Sequence, residues 1–261
     1  MRLSTIFLII TILYSLELYL SIATNTNNII HKDKEVLIRS TYSTISRDRL
    51  RIGCVGDSLT KGTGAHLPRE GSYPAKLREH LGSFFDIMPF AFGGTQITSF
   101  CPHPYIDTPA YNESINFNAH FIILQFGTND AKNDCWEEEM FTTDYINIIK
   151  TYQHLPTKPT VFICIPPPVY NSIEEPLFRI QPNVTNNILP RLISIIAQHT
   201  GAVLIDNFNL FGGIRLTKPE FYFNSSMRVG PGNLMDGIHL NDQGYHVMAK
   251  NIAEKILSHL S

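Results

Sequence analysis

Ser58 has the sequence context of a serine nucleophile. It follows a short apolar run, 50–55, of the kind that a buried parallel strand gives, and Gly56 permits a sharp turn directly after that run. A residue at this position lies at the carboxyl end of a strand, where open α/β sheets bind their ligands. The helix that comes next would supply free N–H groups, which favour developing negative charge. The context is not the G-x-S-x-G elbow, because position 60 is Thr.

His239 is the candidate base, because a serine hydroxyl is a weak nucleophile until a base takes its proton. The chain has ten histidines, and His239 differs from the rest in having Asp236 three residues earlier. On a helical turn these two side chains would share a face, so the carboxylate could orient the imidazole and stabilise its protonated form. We therefore predict a catalytic set of Ser58, His239 and Asp236. The alternative for this segment is a surface turn before the last helix.

Other titratable residues have weaker claims to a catalytic role. Asp130 and Asp242 are alternative acids. Asp57 adjoins the serine in sequence, which directs its side chain away from the base, and we interpret it as structural. His66 and His103 lie in predicted loops near the site, and we interpret them as solvated or substrate-contacting residues.

Four short blocks of sequence, in a fixed order, carry a family resemblance. They are Gly56-Asp57-Ser58-Leu59, Gly93-Gly94, Gly127-Thr128-Asn129-Asp130 and Asp236-Gly237-Ile238-His239. In content and order these blocks resemble the SGNH/GDSL hydrolases, and the resemblance covers residues 50–260. Within that family, residues 104–111 and 126–132 look like the carbohydrate and sialate O-acetylesterase branch.

The resemblance implies an oxyanion hole, which acyl transfer needs. Its donors would be the backbone N–H groups of Ser58 and Gly94 and the side-chain amide of Asn129. A residue without Cβ at position 94 lets the backbone approach a substrate closely. Many family members carry an Asn a few residues before this glycine, whereas residues 89–91 here are Pro-Phe-Ala. The alternatives are a plain turn at Gly94 and a turn cap at Asn129.

Strands and helices are predicted to alternate around these blocks. Strands are predicted at 50–55, 85–90, 121–126, 160–165 and 203–206, and helices at 73–81, 140–154, 188–199 and 241–260. This alternation indicates an α/β fold in which helices cover both faces of a parallel sheet, with a single domain at 50–261. The resemblance implies a three-layer, flavodoxin-like arrangement with five strands in the order 2-1-3-4-5. Residues 95–119 are predicted to be a long connecting loop, and residues 207–235 are predicted to be irregular.

Residues 1–23 are predicted to be a signal peptide. They combine a positively charged start, an apolar run at 3–16 and small residues that suit cleavage after Ala23. The alternative is a membrane anchor, but Glu17 interrupts the run before it reaches the roughly 20 residues that a spanning helix needs. Residues 24–49, rich in Asn, Thr and Ser, are predicted to be a poorly ordered lead-in. We therefore expect a secreted or lumenal protein.

The remaining composition restricts the partners. The 261 residues suit one domain, and a net charge of −2 without a basic run argues against nucleic-acid binding. The absence of a C-x-x-C pair argues against zinc, and we expect no metal, no cofactor and a monomer. Sequons beginning at Asn112, Asn183 and Asn224 fit an exported protein.

The strand order that the resemblance implies bears on how the four cysteines pair. Cys54 and Cys164 fall on predicted strands one and four, which that order separates by strand three, so they lie roughly 10 Å apart. A disulfide tolerates Cα separations of only about 7 Å. Cys101 and Cys135 follow strands two and three, whose loops emerge at the same edge. We predict a Cys101–Cys135 disulfide beside Ser58, with four free thiols as the alternative.

The resemblance implies a secreted serine esterase that removes small acyl groups, and O-acetyl groups in particular, from carbohydrate. Tyr105, Trp136 and His103 are the predicted substrate contacts, because exposed aromatic rings in loops near the site could stack on sugars. The alternative for the aromatic residues is that they simply pack the loops. Tyr111 and Tyr170 lie in similar loops. The alternatives are a lipase, lysophospholipase or thioesterase that uses the same site, and an inactive glycan-binding protein.

Overall fold

The computed structural model describes the following parts of the chain: residues 49–170, 177–224 and 235–260. The predicted signal peptide, 1–23, and the predicted lead-in, 24–49, lie outside the described residues except for residue 49. Packing divides the chain into a compact unit of residues 49–256 and a second unit that includes 257–260, the end of the last helix. None of the described helices is both long and apolar enough to cross a membrane.

A parallel sheet of five strands forms the centre of the described unit, in the order β2-β1-β3-β4-β5. The strands are β1 (Leu50–Gly56), β2 (Phe85–Ala91), β3 (Phe121–Gln125), β4 (Thr160–Ile165) and β5 (Val203–Asp206). All five residues of β3 are buried, which is why this strand reads in the sequence as an unbroken apolar run. The fold class and the strand order expected from the family resemblance are confirmed.

Helices follow the strands and cover the sheet. They are α1 (Ser58–Lys61), α2 (Pro68–Gly71), α3 (Tyr73–Leu81), α4 (Pro109–Asn116), α5 (Glu138–Gln153), α6 (Leu189–Thr200), α7 (Asn207–Leu210) and α8 (Asp242–Leu260). The four predicted helices correspond to α3, α5, α6 and α8. α6 shows the local signals that made it readable: Pro190 lies in its first turn, and Gly201 ends it at φ +70°.

One apolar stripe on α5 fixes that helix against the sheet. Its buried side chains are Phe141, Tyr145, Ile148, Ile149 and Tyr152. They belong to the same core cluster as Ile122 and Leu124 of β3. Burying one such side chain contributes about 1.5–3 kcal/mol, so the carboxyl edge of the sheet is a rigid base for the loops above it.

The two long connections, 95–119 and 207–235, contain regular structure. The first holds α4, which Thr108 caps by accepting a hydrogen bond from Tyr111 N at 3.2 Å. The second holds α7 and the short strand β6 (Tyr222–Asn224), which pairs in antiparallel fashion with β7 (Met235–Leu240). These strands are too short and too polar to show an alternating apolar pattern in the sequence.

Candidate active site

Ser58 is placed by a sharp turn at the end of β1. A Cβ on Gly56 would meet the Thr60 side chain and would lie 2.7 Å from the carbonyl oxygen of Gln125, so only glycine fits there. The next residue, Asp57, caps α1: its Oδ1 accepts a hydrogen bond from Leu59 N at 2.9 Å. Ser58 therefore begins α1 at the carboxyl edge of the sheet, as predicted.

Ser58, His239 and Asp236 form a continuous chain of hydrogen bonds. Ser58 Oγ lies 2.9 Å from His239 Nε2, and His239 Nδ1 lies 2.6 Å from Asp236 Oδ2. A proton on Nδ1, donated to the carboxylate, leaves Nε2 free to accept the serine proton. Burial alone would raise the pKa of Asp236, but the hydrogen bond and the charge of His239 outweigh burial, and the pKa is lowered. The acid is thus ionised when it orients the imidazole.

Asp236 and His239 come together on a kinked strand, and our prediction of a helical turn is wrong. Both residues lie on β7, where residues three apart would normally point to opposite faces. Gly237 lies between them at φ +68°, which turns the backbone. The other oxygen of Asp236, Oδ1, then accepts hydrogen bonds from Ile238 N at 2.9 Å and from His239 N at 2.8 Å. Because this local turn needs glycine, the D-G-x-H spacing has a backbone cause.

Asn129 and the Gly93-Gly94 turn lie on neighbouring loops above the sheet. Asn129 is almost fully buried and donates from Nδ2 to Asp57 Oδ2 at 3.1 Å. Gly94 has φ +83° and open space where a Cβ would lie, and a Cβ on Gly93 would lie 3.8 Å from that of Ser58. The loop after β2 therefore reaches the serine.

Asp57 serves the site as a structural acceptor. It is buried, which raises the pKa of its carboxyl group to about 6. Its two oxygens bind Leu59 N and Asn129 Nδ2, and no hydrogen bond joins it to His239 within the described part of the chain. Its carboxylate thus links the block that holds Ser58 to the block that holds Asn129.

A disulfide between Cys101 and Cys135 fastens the long loop after β2, as predicted. Their Cα atoms lie 5.2 Å apart, whereas Cys54 and Cys164 are free and buried. A carboxyl oxygen of Asp130 lies within 4.8 Å of both sulfur atoms of the bridge. The disulfide therefore closes directly beside the block that contains Asn129.

Asp130 and Asp242, the alternative acids, accept hydrogen bonds from loop residues other than His239. Asp130 Oδ1 accepts hydrogen bonds from Ile97 N, Thr98 N and Thr98 Oγ1, each at 2.9 Å, and burial raises its pKa to about 6. Asp242 accepts from His66 N at 3.1 Å. Both carboxylates order loops around the site.

Tyr105 is not an exposed ring, so it packs its loop, which is the alternative to the predicted substrate contact. Its side chain is fully buried, and its hydroxyl donates to the Phe90 carbonyl oxygen at 2.8 Å, so no face of its ring is open to a sugar. Trp136 is half-buried against Phe141, with ring centroids 5.4 Å apart. His103 is exposed.

The remaining sequence predictions concern loop aromatics and sequons. Tyr111 packs edge-on against a buried neighbour, and the hydroxyl of Tyr170 accepts a hydrogen bond from Lys218 N at 2.8 Å. Of the sequon residues, Asn112 and Asn183 are exposed, while the side chain of Asn224 lies outside the described residues. Glycosylation stays a prediction.

Sequence reasoning missed Phe178. Its ring centroid lies 6.3 Å from that of His239, and its side chain is 59% exposed. Phe178 lies in the connection between β4 and α6, where it belongs to no motif and follows no periodic pattern. Only the folded chain brings it beside the imidazole.

A hydroxyl bound to an imidazole, which a carboxylate holds in place, is the arrangement of a serine hydrolase. The comparison with known families agrees, because the GDSL-like Lipase/Acylhydrolase family matches residues 54–247. The chain belongs to this family.

One curated protein is similar to the chain at low sequence identity. An acetylxylan esterase of Xylanibacter ruminicola is 25% identical over 228 residues, which are 80% of this chain and 43% of the relative. The chain therefore spans less than half the length of that curated relative.

Solved structures show the same fold. One is the crystal structure of an acetyl xylan esterase, AlAXEase, with a TM-score of 0.57 and 20% identity over 78% of this chain and 98% of the other. Another is a carbohydrate acetylesterase family member from Sinorhizobium meliloti, with a TM-score of 0.59 and 17% identity over 81% of this chain and 99% of the other.

Proposed function

We propose that this protein is a serine esterase that removes small acyl groups, and O-acetyl groups in particular, from carbohydrates. The observation that carries the proposal is the hydrogen-bonded chain from Ser58 Oγ through His239 to Asp236. The names of the similar proteins, which are acetylxylan and carbohydrate acetylesterases, support the choice of acyl group and alcohol.

In the first half of the reaction, Ser58 Oγ attacks the ester carbonyl carbon while His239 Nε2 takes the hydroxyl proton. The charge that forms on the imidazole is stabilised by Asp236, whose carboxylate accepts from Nδ1. Negative charge develops on the carbonyl oxygen. The backbone N–H groups of Ser58 and Gly94 and the amide of Asn129 are our proposed donors to that oxygen.

The intermediate then collapses and His239 gives its proton to the leaving sugar oxygen, so that the alcohol departs and an acyl-serine remains. In the second half, water loses a proton to His239 as it attacks the acyl carbon. Release of acetate returns the proton to Ser58 Oγ. The same three side chains therefore act in both halves.

We also propose that the enzyme works outside the cell or in a lumen. The predicted signal peptide and the sequons support this, and the disulfide between Cys101 and Cys135 is a bond that persists in oxidising compartments.

The experiment is acetate release from a panel of acetylated glycans, with a p-nitrophenyl ester series for acyl length. We expect the wild-type rate to be highest with acetate esters. The Ser58→Ala protein should lose at least about 10⁴-fold in kcat while it keeps its circular dichroism spectrum. Ser83→Ala, an exposed serine before β2, is the matched control. A rate maximum at decanoate or longer would support the lipase alternative, and wild-type turnover by Ser58→Ala would remove the serine from the mechanism.

A further inference from the structure

Phe178 is an exposed aromatic side chain beside the proposed catalytic base. Its ring stands nearly perpendicular to the His239 ring, at 73°, with centroids 6.3 Å apart. More than half of the side chain is open to solvent, at 59% exposure, so core packing does not explain it. An apolar ring kept open at a reaction centre is available to a ligand.

The backbone holds Phe178 in an unfavourable conformation. Phe178 and Arg179 both have positive φ angles, +55° and +62°, which cost a residue with a side chain about 1–2 kcal/mol each. Such conformations persist where the surroundings enforce them, and they cluster at functional sites.

The enforcing contacts come from the loop that follows Asn129. Asn133 N donates to the carbonyl of Arg179 at 3.1 Å, and Gln181 N donates to the carbonyl of Ala131 at 2.9 Å. Between these two bonds Ile180 is buried, at 2% exposure, and anchors the segment. The segment that carries Phe178 is thus hydrogen-bonded to the loop that carries the proposed oxyanion donor, Asn129.

The chemistry of the site assigns this ring to one part of the substrate. His239 must deliver a proton to the departing alcohol, so the alcohol lies against the imidazole, whereas the carbonyl oxygen faces the oxyanion donors. Phe178 is next to the imidazole. An alcohol that takes its proton from His239 therefore lies within reach of this ring.

The surroundings of the ring suit a hydroxylated ligand better than an apolar chain. Arg179 forms an ion pair with Asp134 at 2.8 Å, and Lys132 pairs with Ile180 across the strand-like contact. Phe178 thus provides a flat apolar face, and Arg179, the next residue in the chain, is a charged side chain that can form hydrogen bonds. Sugar rings have the matching surfaces, with C–H bonds on a face and hydroxyl groups at the edge.

We propose that Phe178 is a binding platform that stacks on the pyranose ring carrying the scissile ester. This inference rests on the proposed function, because it supplies the contact for the sugar. Phe178 binds and orients the alcohol and takes no part in proton transfer.

The test compares two esters that share the acetyl group and differ in the alcohol. One is the best substrate among mono-O-acetylated methyl pyranosides, and the other is ethyl acetate, which has no ring. We expect Phe178→Ala to raise KM for the pyranoside about tenfold, equivalent to about 1.4 kcal/mol, with little change in kcat. The kcat/KM for ethyl acetate should be unchanged. Phe178→Trp should restore the pyranoside KM, whereas Phe178→Leu should not.

Phe84→Ala is the matched control, because Phe84 precedes β2 at the opposite edge of the sheet. Equal loss with both esters would mean that Phe178 supports His239 and would overturn the platform. A Phe178→Leu protein with wild-type KM would also overturn it, since stacking would then be unnecessary. If Phe178→Ala cleaves the pyranoside as well as wild type does, only this inference fails. If the wild type cleaves ethyl acetate but none of the pyranosides, the proposed substrate class fails and the platform with it.

Discussion

Replacing Asp57 by Asn should disable catalysis without touching any of the three side chains of the hydrogen-bonded chain. The carboxylate accepts two hydrogen bonds, from Leu59 N at 2.9 Å and from Asn129 Nδ2 at 3.1 Å. An Asn side chain has one acceptor oxygen and one NH₂ group, so in either orientation it sets a donor against a donor. If the oxygen faces Leu59, the NH₂ group repels the Asn129 amide and displaces it.

The size of the effect follows from what is lost. One oxyanion donor contributes about 10²–10³ in kcat, and we expect a loss of that order at pH 8, where Asp57 is ionised in the wild type. An unsatisfied buried donor costs about 1–3 kcal/mol, whereas Asn removes the cost of burying the charge that raises the pKa of Asp57, so the free energy of unfolding at pH 8 should change by less than that amount. Steady-state hydrolysis of p-nitrophenyl acetate and urea unfolding measure the two quantities. Asp86→Asn, a half-exposed residue on β2, is the control for the same chemical change.

A double-mutant cycle tests whether Asp57 acts through Asn129. We expect Asn129→Ala to lower kcat about as much as Asp57→Asn does, and the double variant to be no slower than Asn129→Ala alone. Losses in kcat that multiply would show that Asp57 has an independent catalytic effect and would refute this reasoning.

Three further predictions concern the base, the disulfide and a buried acid. Asp236→Asn should reduce kcat less than His239→Ala, because a reoriented imidazole still accepts a proton; equal losses in a kcat assay would contradict this. Reducing the bond between Cys101 and Cys135, 34 residues apart, should lower the free energy of unfolding by about 3–4 kcal/mol, as urea unfolding of Cys101→Ser would measure, and an unchanged midpoint would count against it. Burial raises the pKa of Asp130 to about 6, so the folded state binds more protons than the unfolded chain between pH 4 and 6. The contribution of Asp130 to the free energy of unfolding is therefore fully present below about pH 4 and is lost as pH rises through 6. Asp130→Asn should flatten that decline in urea titrations, and an unchanged slope would contradict the assignment.

The parallel sheet was predictable because its strands are buried on both faces and read as apolar runs. β4 lies at the predicted residues, Thr160–Ile165, and β5 at Val203–Asp206. α5 was equally clear, because its five buried side chains repeat at helical spacing. Strand order, in contrast, came from the family resemblance, since apolar periodicity carries no information on which strands are neighbours.

The failures share a cause, which is that local spacing does not report tertiary packing. Tyr105 lies in a loop, and loop aromatics are often exposed, yet the core closes over it and its hydroxyl finds the Phe90 carbonyl. The spacing of Asp236 and His239 suggested a helical turn, but a left-handed glycine on β7 gives the same proximity. Phe178 left no signal in the sequence, because its proposed role depends on contact with His239, which is 61 positions away.

Three acidic side chains with different surroundings divide the work of organising this site. Burial raises the pKa values of Asp57 and Asp130 to about 6, whereas contact with His239 lowers that of Asp236. As pH falls toward 6, the two loop-ordering carboxylates therefore begin to protonate while the partner of the imidazole stays ionised. Protonation of Asp57 removes its charge and turns one carboxyl oxygen into a hydroxyl donor, so its hydrogen bonds with Leu59 N and Asn129 Nδ2 weaken. The oxyanion side of the site should consequently be more acid-sensitive than the Asp236–His239 pair.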